Sequence, residues 1–476
     1  MLLERIYDED LAQAGYVIAC QQAQEMLVVD PRRDIRVYLD LAARHGLEIT
    51  HVTETHIHAD YLSGTRELAA ATGATVHVSG EGDADWQYGF AAERLHDGDT
   101  IGLGRITVQA VHTPGHTPEH LMFLVADGAV ADEPGYALTG DFVFAGDLGR
   151  PDLLDEAAGG TDTRFRGAQQ LFASLQRSFL TLPDHVQVLP GHGAGSACGK
   201  TLGSIPSSTV GYERRFAWWA PYLAADDRDG FVAELLDGQP DAHAYFGRMK
   251  RQNRDGPDVL GRRAPLVELS AAEVERAIEE NRATLLDTRA VDAVHTGTVP
   301  GSLHVPAAGG RIASFGAWVV DPETGSTPLV LLAEDGDRAR EIADHLLRVG
   351  IDDVRGYVTS LDGLPLHEPQ TLTVAELRER GIGNGPEGRD PAVLLDVRSK
   401  AENAAGTIPG ARQLSGGRVL WSLEELPREQ PLITFCQSGL RSSVVASALR
   451  REGYSVTELE GSYLTWSAAH PDSSER

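Results

Sequence analysis

Apolar residues in the N-terminal part of the chain come in short runs bounded by turn residues, the pattern of buried strands. Tyr16-Val17-Ile18-Ala19-Cys20 and Met26-Leu27-Val28-Val29-Asp30-Pro31 predict two strands paired through a turn. Asp34 to His45 changes to helical spacing, with Ile35, Tyr38, Leu39 and Leu41 on one face. Further strands are predicted at 49–52, 75–78, 106–112, 121–125, 136–138 and 186–189. Strands interleaved with helices predict a layered α/β domain. From about Phe216 to Arg263 the texture becomes Trp-rich helix, then charge, then Arg/Gly/Asp/Pro. It reads as a helical extension followed by a linker.

Two more α/β units follow. One opens near Pro265 with the capping box Ser270-Ala271-Ala272-Glu273, the other near Leu372 with Thr373-Val374-Ala375-Glu376. They are an internal duplication. Leu286-Asp287-Thr288-Arg289 and Gly297-Thr298-Val299-Pro300-Gly301 match Leu395-Asp396-Val397-Arg398 and Gly406-Thr407-Ile408-Pro409-Gly410 in the same order. The expected domains are 1–255, 264–366 and 370–476.

A chain of 476 residues exceeds one core, and 42% hydrophobic content fits globular domains. The net charge of -28 repels phosphate backbones and anionic lipid, which argues against nucleic acid or membrane partners. An anionic substrate then needs a local basic patch. Met1-Leu2-Leu3 runs directly into Glu4 and Arg5, leaving no apolar stretch for a signal peptide, and no run is long enough to span a bilayer. The expectation is a soluble, cytoplasmic protein. Cys20, Cys198 and Cys436 are too few and too scattered for a disulfide framework.

Candidate chemistry lies where predicted strands end. Thr55-His56-Ile57-His58-Ala59-Asp60-Tyr61, Thr113-Pro114-Gly115-His116, Leu138-Thr139-Gly140-Asp141 and Leu189-Pro190-Gly191-His192 would converge on one rim of a sheet, as metal ligands require. These residues resemble the metallo-β-lactamase superfamily, whose signature is HxHxDH followed by separate His, Asp and His motifs. The resemblance covers roughly residues 10 to 215 and implies an αββα sandwich. Tyr61 replaces the sixth-position histidine that binuclear zinc hydrolases such as glyoxalase II use on their second metal. The persulfide dioxygenases of this superfamily place one ferrous ion on two histidines and a carboxylate, a set suited to dioxygen. The match assigns that set to His56, His116 and Asp141, one Fe(2+) per chain, with His58, Asp60 and His192 as supporting residues. Gly149-Arg150-Pro151-Asp152 resembles the segment where those dioxygenases bind the thiol carrier. Arg150 is thus either the anion contact or half of a loop-fixing pair with Asp152. Cys198, in a glycine-rich turn on the same rim, is a candidate auxiliary thiol whose pKa Lys200 and the loop amides could lower. Cys20, in an apolar strand, is expected to be simply buried.

In the third unit, Leu432-Ile433-Thr434-Phe435 runs into Cys436-Gln437-Ser438-Gly439-Leu440-Arg441, with a helix expected from Ser442 or Ser443. A cysteine between strand and helix meets a cup of N–H groups and the positive end of a helix dipole, which favour a thiolate or persulfide. Arg441 can close that cup around an anion. With Asp396-Val397-Arg398 and Ile408-Pro409-Gly410, this resembles a rhodanese domain. The second unit reads Ala333-Glu334-Asp335-Gly336-Asp337-Arg338 at the same place, without nucleophile and with acid in the cup, and is expected to be silent. The whole resembles the bacterial fused persulfide dioxygenase–sulfurtransferases. That resemblance implies oxidation of a low-molecular-weight thiol persulfide (glutathione, coenzyme A or another thiol) by O2 to sulfite, with rhodanese transfer to or from thiosulfate, in a homo-oligomer. A glyoxalase II-like thioester hydrolase fused to a sulfurtransferase, and a non-enzymatic sulfur sensor, are the competing readings.

Overall fold

The computed structural model describes residues 1–153, 163–200, 202–324, 327–382 and 391–470. Residues 471–476, the end of the expected third domain, lie outside the described residues. The chain forms two compact units. One comprises Met1–Ala242 with Phe246–Arg263, the other His243–Tyr245 with Ala264–Arg476. Among the described residues, no helix is long and apolar enough to cross a membrane.

The first unit stacks two six-stranded sheets, each laid out in chain order. Gln13–Cys20 pairs antiparallel with Glu25–Val29, as their alternation predicts. The period of two divides these strands between two cores. Tyr16, Ile18, Leu27 and Val29 face Val108, Phe123, Val125 and Leu138 of the second sheet. Val17, Ala19, Met26 and Val28 face the other way, onto Tyr38, Leu41 and Leu68 of outer helices. A third cluster, with Phe172, Phe179, Trp219 and Phe231, covers the second sheet's outer face. The result is the expected αββα sandwich.

Leu2–Asp8 is a strand that the pattern did not predict; it pairs with Gln13–Cys20 along its full length. Its polar residues sit on an edge strand, where alternation is weak evidence. The expected linker is tied down as well. Arg66 bonds the carbonyls of Gly256 and Pro257, Arg33 that of Asp258, and Glu67 accepts from the amides of Leu260 and Gly261.

The second unit contains two five-stranded parallel sheets of identical order. The first runs Val267–Glu268, Val354–Val358, Leu329–Leu332, Thr284–Asp287, Leu303–His304. The second runs Thr371–Leu372, Val456–Leu459, Leu432–Phe435, Val393–Asp396, Arg412–Gln413. Both predicted capping boxes form, at Ser270/Glu273 and Thr373/Glu376. The duplicated Asp-x-Arg and Gly-Thr blocks meet through equivalent hydrogen bonds. Arg289 bonds Asp287 and the Gly297 carbonyl, and Arg398 bonds Asp396 and the Gly406 carbonyl.

Candidate functional site

The four rim motifs of the first unit follow the strands Glu48–Thr53, Ile106–His112, Tyr136–Gly140 and Gln187–Pro190. Their loops carry His56, His116, Asp141 and His192 into one dry pocket, where none is more than 4% exposed. One donor atom each of His56, His116 and Asp141 lie within 4.8 Å of one another.

Hydrogen bonds fix which ring nitrogens are free. Thr55 donates its hydroxyl to Asp30 at 2.9 Å, so its oxygen accepts from His56 Nδ1 at 3.0 Å. His116 Nδ1 donates to the Arg150 carbonyl at 2.9 Å. In both rings the proton sits on Nδ1, and Nε2 presents a bare lone pair. Asp141 accepts from His192 Nδ1 at 2.7 Å through Oδ1, while its buried Oδ2 has no hydrogen-bond partner. That oxygen lies 3.6 Å from the bare Nε2 of His116. Acceptors facing each other in a dry pocket call for a cation, and the set fits a divalent metal.

Electrostatics agree. Burial, reinforced by the neighbouring His58, holds His56 well below the ordinary histidine pKa, and burial also lowers His116. Both stay neutral, as ligation requires. Burial would raise Asp141, but the His192 charge and hydrogen bond outweigh it and keep the carboxyl ionised. Two close approaches need glycine. A Cβ on Gly191 would stand 2.7 Å from Asp141 Oδ1, and one on Gly149 would collide with the Asp141 carbonyl oxygen.

His58, Asp60 and His192 surround this set. His58 Nε2 bonds Asp30 at 3.0 Å; burial opposes its charge, but Asp30, Glu54 and Asp60 lift its pKa to about 9. His192 is clamped between Asp141 and Asp60, the latter at 2.8 Å. Tyr61 packs its ring 4.6 Å from His58 and gives its hydroxyl to the Asp30 carbonyl. Asp60, His192 and Cys198 form a second trio of possible ligands within 4.8 Å.

Arg150 is 1% exposed. Its Nε and Nη2 bond Asp152, and Nη1 bonds the carbonyls of Ala197 and Pro240. Four of its five N–H groups are held by the protein, which fits the loop-fixing role better than the anion contact. Lys200 turns from Cys198 to Glu234 and the Asp237 carbonyl. Burial, then Asp141 and Asp60, pushes the Cys198 thiol well above its ordinary pKa, opposite to the expected lowering.

In the second unit Cys436 follows Leu432–Phe435, and the helix starts at Leu440, earlier than expected, because Gly439 takes a φ of 108° and turns the chain at once. Cys436 Sγ accepts from the Gly439 amide at 3.1 Å and lies 3.6 Å from Ser442 Oγ. Arg441 grips Glu402 through two bonds of 2.6 and 2.7 Å, and that hydrogen bonding pulls the Glu402 carboxyl down to about 2. In the twin loop Ala333 is buried, while Glu334, Asp335 and Asp337 are all exposed. Asp335 caps the Gly336–Leu347 helix at the Arg338 amide, 2.8 Å away, and Glu334 lines a cavity together with Ala333, Arg289 and Arg338. This loop therefore carries acid where the Cys436 loop has Gln437, Ser438 and Leu440.

Residues 16–192 match the Metallo-beta-lactamase superfamily, and residues 270–363 and 382–469 match the Rhodanese-like domain. A solved metallo-beta-lactamase from Staphylococcus aureus subsp. aureus COL shares 35% identity with a TM-score of 0.65, covering 75% of this chain and 99% of its own. The chain belongs to the metallo-beta-lactamase superfamily. Behind that domain it carries two rhodanese-like domains. A probable polyketide biosynthesis zinc-dependent hydrolase, BaeB of Bacillus velezensis, is 26% identical over 44% of this chain and 85% of its own length. The persulfide dioxygenase ETHE1 of Bos taurus is 26% identical over 40% of this chain and 68% of its own.

Within this superfamily domain, the motif residues were legible and their supports were not. Asp30 takes the Thr55 amide, the Thr55 hydroxyl and His58 on one buried carboxylate. The signal for it was an acid closing an apolar strand before Pro31. His120 accepts from the Asp141 amide at 3.2 Å and stacks 5.2 Å from His56. Asn253 holds the carbonyls of His58 and Tyr61 and the Ser63 amide from almost 200 positions away, so nothing local announces it. Asp30→Ala is expected to strand three buried donors and cost about 3–5 kcal/mol, since breaking a buried charged pair alone costs that much. Chemical denaturation of the apoprotein measures it; a loss below about 1 kcal/mol would mean that water replaces the carboxylate.

The silent loop gives another expectation. Ala333→Cys in a Cys436→Ser background should transfer no sulfur, because Glu334 lines the cavity beside position 333 and Asp335 caps the same loop, so an anionic sulfur there meets carboxylates. Adding Glu334→Gln and Asp335→Ser, as in the twin, should give the first measurable thiocyanate from thiosulfate and cyanide. Activity from Ala333→Cys alone would show that these carboxylates are no obstacle.

Proposed function

We propose that this chain oxidises a low-molecular-weight thiol persulfide with O2 at a single ferrous centre and handles sulfane sulfur at Cys436. The observation that carries this reading is the donor set of His56 Nε2, His116 Nε2 and Asp141 Oδ2, two imidazoles and a carboxylate facing one another without protons between them. Such a set leaves several positions open on a metal, as oxygen-dependent iron enzymes require. A ferrous ion there would supply the redox chemistry between sulfur and O2. The protein's part is to hold the rings in one tautomer, keep Asp141 ionised and exclude water. In balance, persulfide, O2 and water give free thiol, sulfite and two protons. Sulfite meeting a Cys436 persulfide gives thiosulfate and the free cysteine; the reverse reaction loads Cys436.

Likeness to persulfide dioxygenase ETHE1 and the paired rhodanese-like domains support sulfur metabolism. With most of the Arg150 donors held internally, the anionic carrier calls for other cations. A cleft in the first unit provides Arg166, Lys250, Arg254 and His112 beside Trp86, with Asp83 and Asp85 at the same lining and Pro114 and Pro118 of the His116 loop as walls. Lys250 stacks 3.4 Å over the Trp86 ring. Lys250→Ala is expected to raise KM for glutathione persulfide about tenfold, the loss of one charge-assisted contact, and to leave KM for the persulfide of a neutral thiol unchanged. Equal effects on both would move the carrier elsewhere.

The trio Asp60, His192 and Cys198, with the likeness to a zinc-dependent hydrolase, favours a second reading, a two-metal thioester hydrolase. Oxygen consumption against a panel of thiol persulfides, with metal content measured on the same sample, separates the two. One iron and persulfide-dependent oxygen uptake are expected. Two zincs per chain and thioester cleavage without oxygen uptake would replace the proposal.

A further inference from the structure

The silent rhodanese-like domain has kept its fold without its nucleophile, and its edge strand shows a use for it. Leu303–His304 closes one side of the silent sheet. An edge strand presents unpaired backbone groups, which must be covered or satisfied. Here the His304 amide donates to Ser447 Oγ at 2.9 Å, on the Leu440–Arg451 helix that starts at the Cys436 loop.

The His304 side chain continues the contact. Its Nε2 lies 2.9 Å from the Arg289 carbonyl, which can only accept, so the ring proton is on Nε2. Nδ1 is then bare and accepts from the Ser443 hydroxyl at 2.8 Å. His304 and Ser443 are each 1% exposed, so water does not compete for this bond. Ser443 in turn donates its amide to the Gly439 carbonyl, and the Gly439 amide faces Cys436 Sγ. Its neighbour Ser442 supplies the hydroxyl near the same sulfur. Three bonds therefore lead from the silent strand to the sulfur.

The active twin shows that this link is particular to the silent unit. Gln413 stands at the place of His304 and bonds the Arg398 carbonyl at the same 2.9 Å, but its other contact is Ser415 of its own domain. Two further contacts brace the same helix. Arg451 bonds the Gly301 carbonyl, and Arg450 reaches Glu458, which His295 also holds.

We propose that the silent domain is a positioning device for the active one, with His304 fixing the first turn of the Leu440–Arg451 helix through Ser443 so that the Gly439 amide and Ser442 hydroxyl stay aimed at the Cys436 sulfur. The inference rests on the sulfur-transfer reading of Cys436. His304 is a positioning residue, touching no sulfur itself.

The test uses the full chain and the variants His304→Ala, Ser443→Ala, their combination and His304→Gln. Thiosulfate:cyanide sulfur transfer is measured alongside the iodoacetamide alkylation rate of Cys436, read by peptide mass spectrometry. His304→Ala and Ser443→Ala should each lower kcat about tenfold, the order expected for a small misplacement of reacting groups, with KM for thiosulfate little changed. The double variant should be no worse than either single one, because both remove the same bond. Glutamine can hold the Arg289 carbonyl through its amide and accept from Ser443 through its oxygen, so His304→Gln should restore most of kcat. Alkylation should slow several-fold in both alanine variants and recover with glutamine. Unchanged kcat, or additive losses in the double variant, would overturn the positioning role. If the unmodified protein transfers no sulfur, the function reading falls, while alkylation still decides this one: equal rates with and without His304 reject it. Should His304→Ala misfold, Ser443→Ala tests the same bond from the other side.

Discussion

His116→Ala is expected to empty the metal centre while leaving sulfur transfer intact. The ring contributes a bare Nε2 to the donor set and, through Nδ1, anchors the Arg150 carbonyl. Removing it leaves one imidazole and one carboxylate, too few to hold a divalent ion against water. Loss of an outer hydrogen-bond partner alone weakens metal binding about 10–100-fold, so loss of a ligand should cost at least that and take oxygen uptake with it. The Cys436 loop lies in the other compact unit, with its own sheet and core. Thiosulfate:cyanide transfer should therefore stay near its starting rate. Metal content by emission spectrometry and oxygen uptake on the same preparation check both halves. Full iron occupancy in the variant would discard the assignment of His116.

Cys436→Ser gives the complementary result. The sulfur lies where the Gly439 amide and Ser442 hydroxyl converge. A serine oxygen there cannot carry sulfane sulfur, so transfer should fall by roughly a thousandfold or more, as when other enzymes lose their nucleophile. Oxygen consumption should persist, with sulfite accumulating in place of thiosulfate. Quantifying both anions by chromatography tests whether the two sites act in sequence. An unchanged ratio of sulfite to thiosulfate would require another source of thiosulfate.

These expectations depend differently on sequence and on fold. Strand ends with His, Asp and Gly or Pro turns were legible because each is a local pattern. An apolar run fixes a strand, the turn residues fix where it stops, and the first polar side chain beyond it lies on the rim. The duplication was legible for the same reason, since Asp-x-Arg and Gly-Thr recur at matched spacing, and both capping boxes are three-residue relations. Cys436 could be read from a strand running into a helix.

What local pattern could not fix was how side chains far apart in the chain share out a limited number of hydrogen bonds. Arg150 in its segment fits an anion contact; only the folded loop brings the Ala197 and Pro240 carbonyls to it and engages both N–H groups of Nη1. Lys200 stands two residues from Cys198, yet the fold sends its ammonium to Glu234, and buried carboxylates reverse the expected shift of the thiol. The three acids of the Ala333 loop are alike in sequence, but the fold gives them different places: Asp335 caps the helix at the Arg338 amide and Glu334 lines the cavity beside Ala333. By itself, then, the sequence determined the domains' architecture and which rim residues the fold brings together, because period and turn chemistry act over a few residues. The protonation of each imidazole, the support from Asp30, His120 and Asn253, and the bond from His304 to Ser443 were decided only in three dimensions. Buried polar groups must find partners wherever the fold places them, and those partners can be almost 200 residues away.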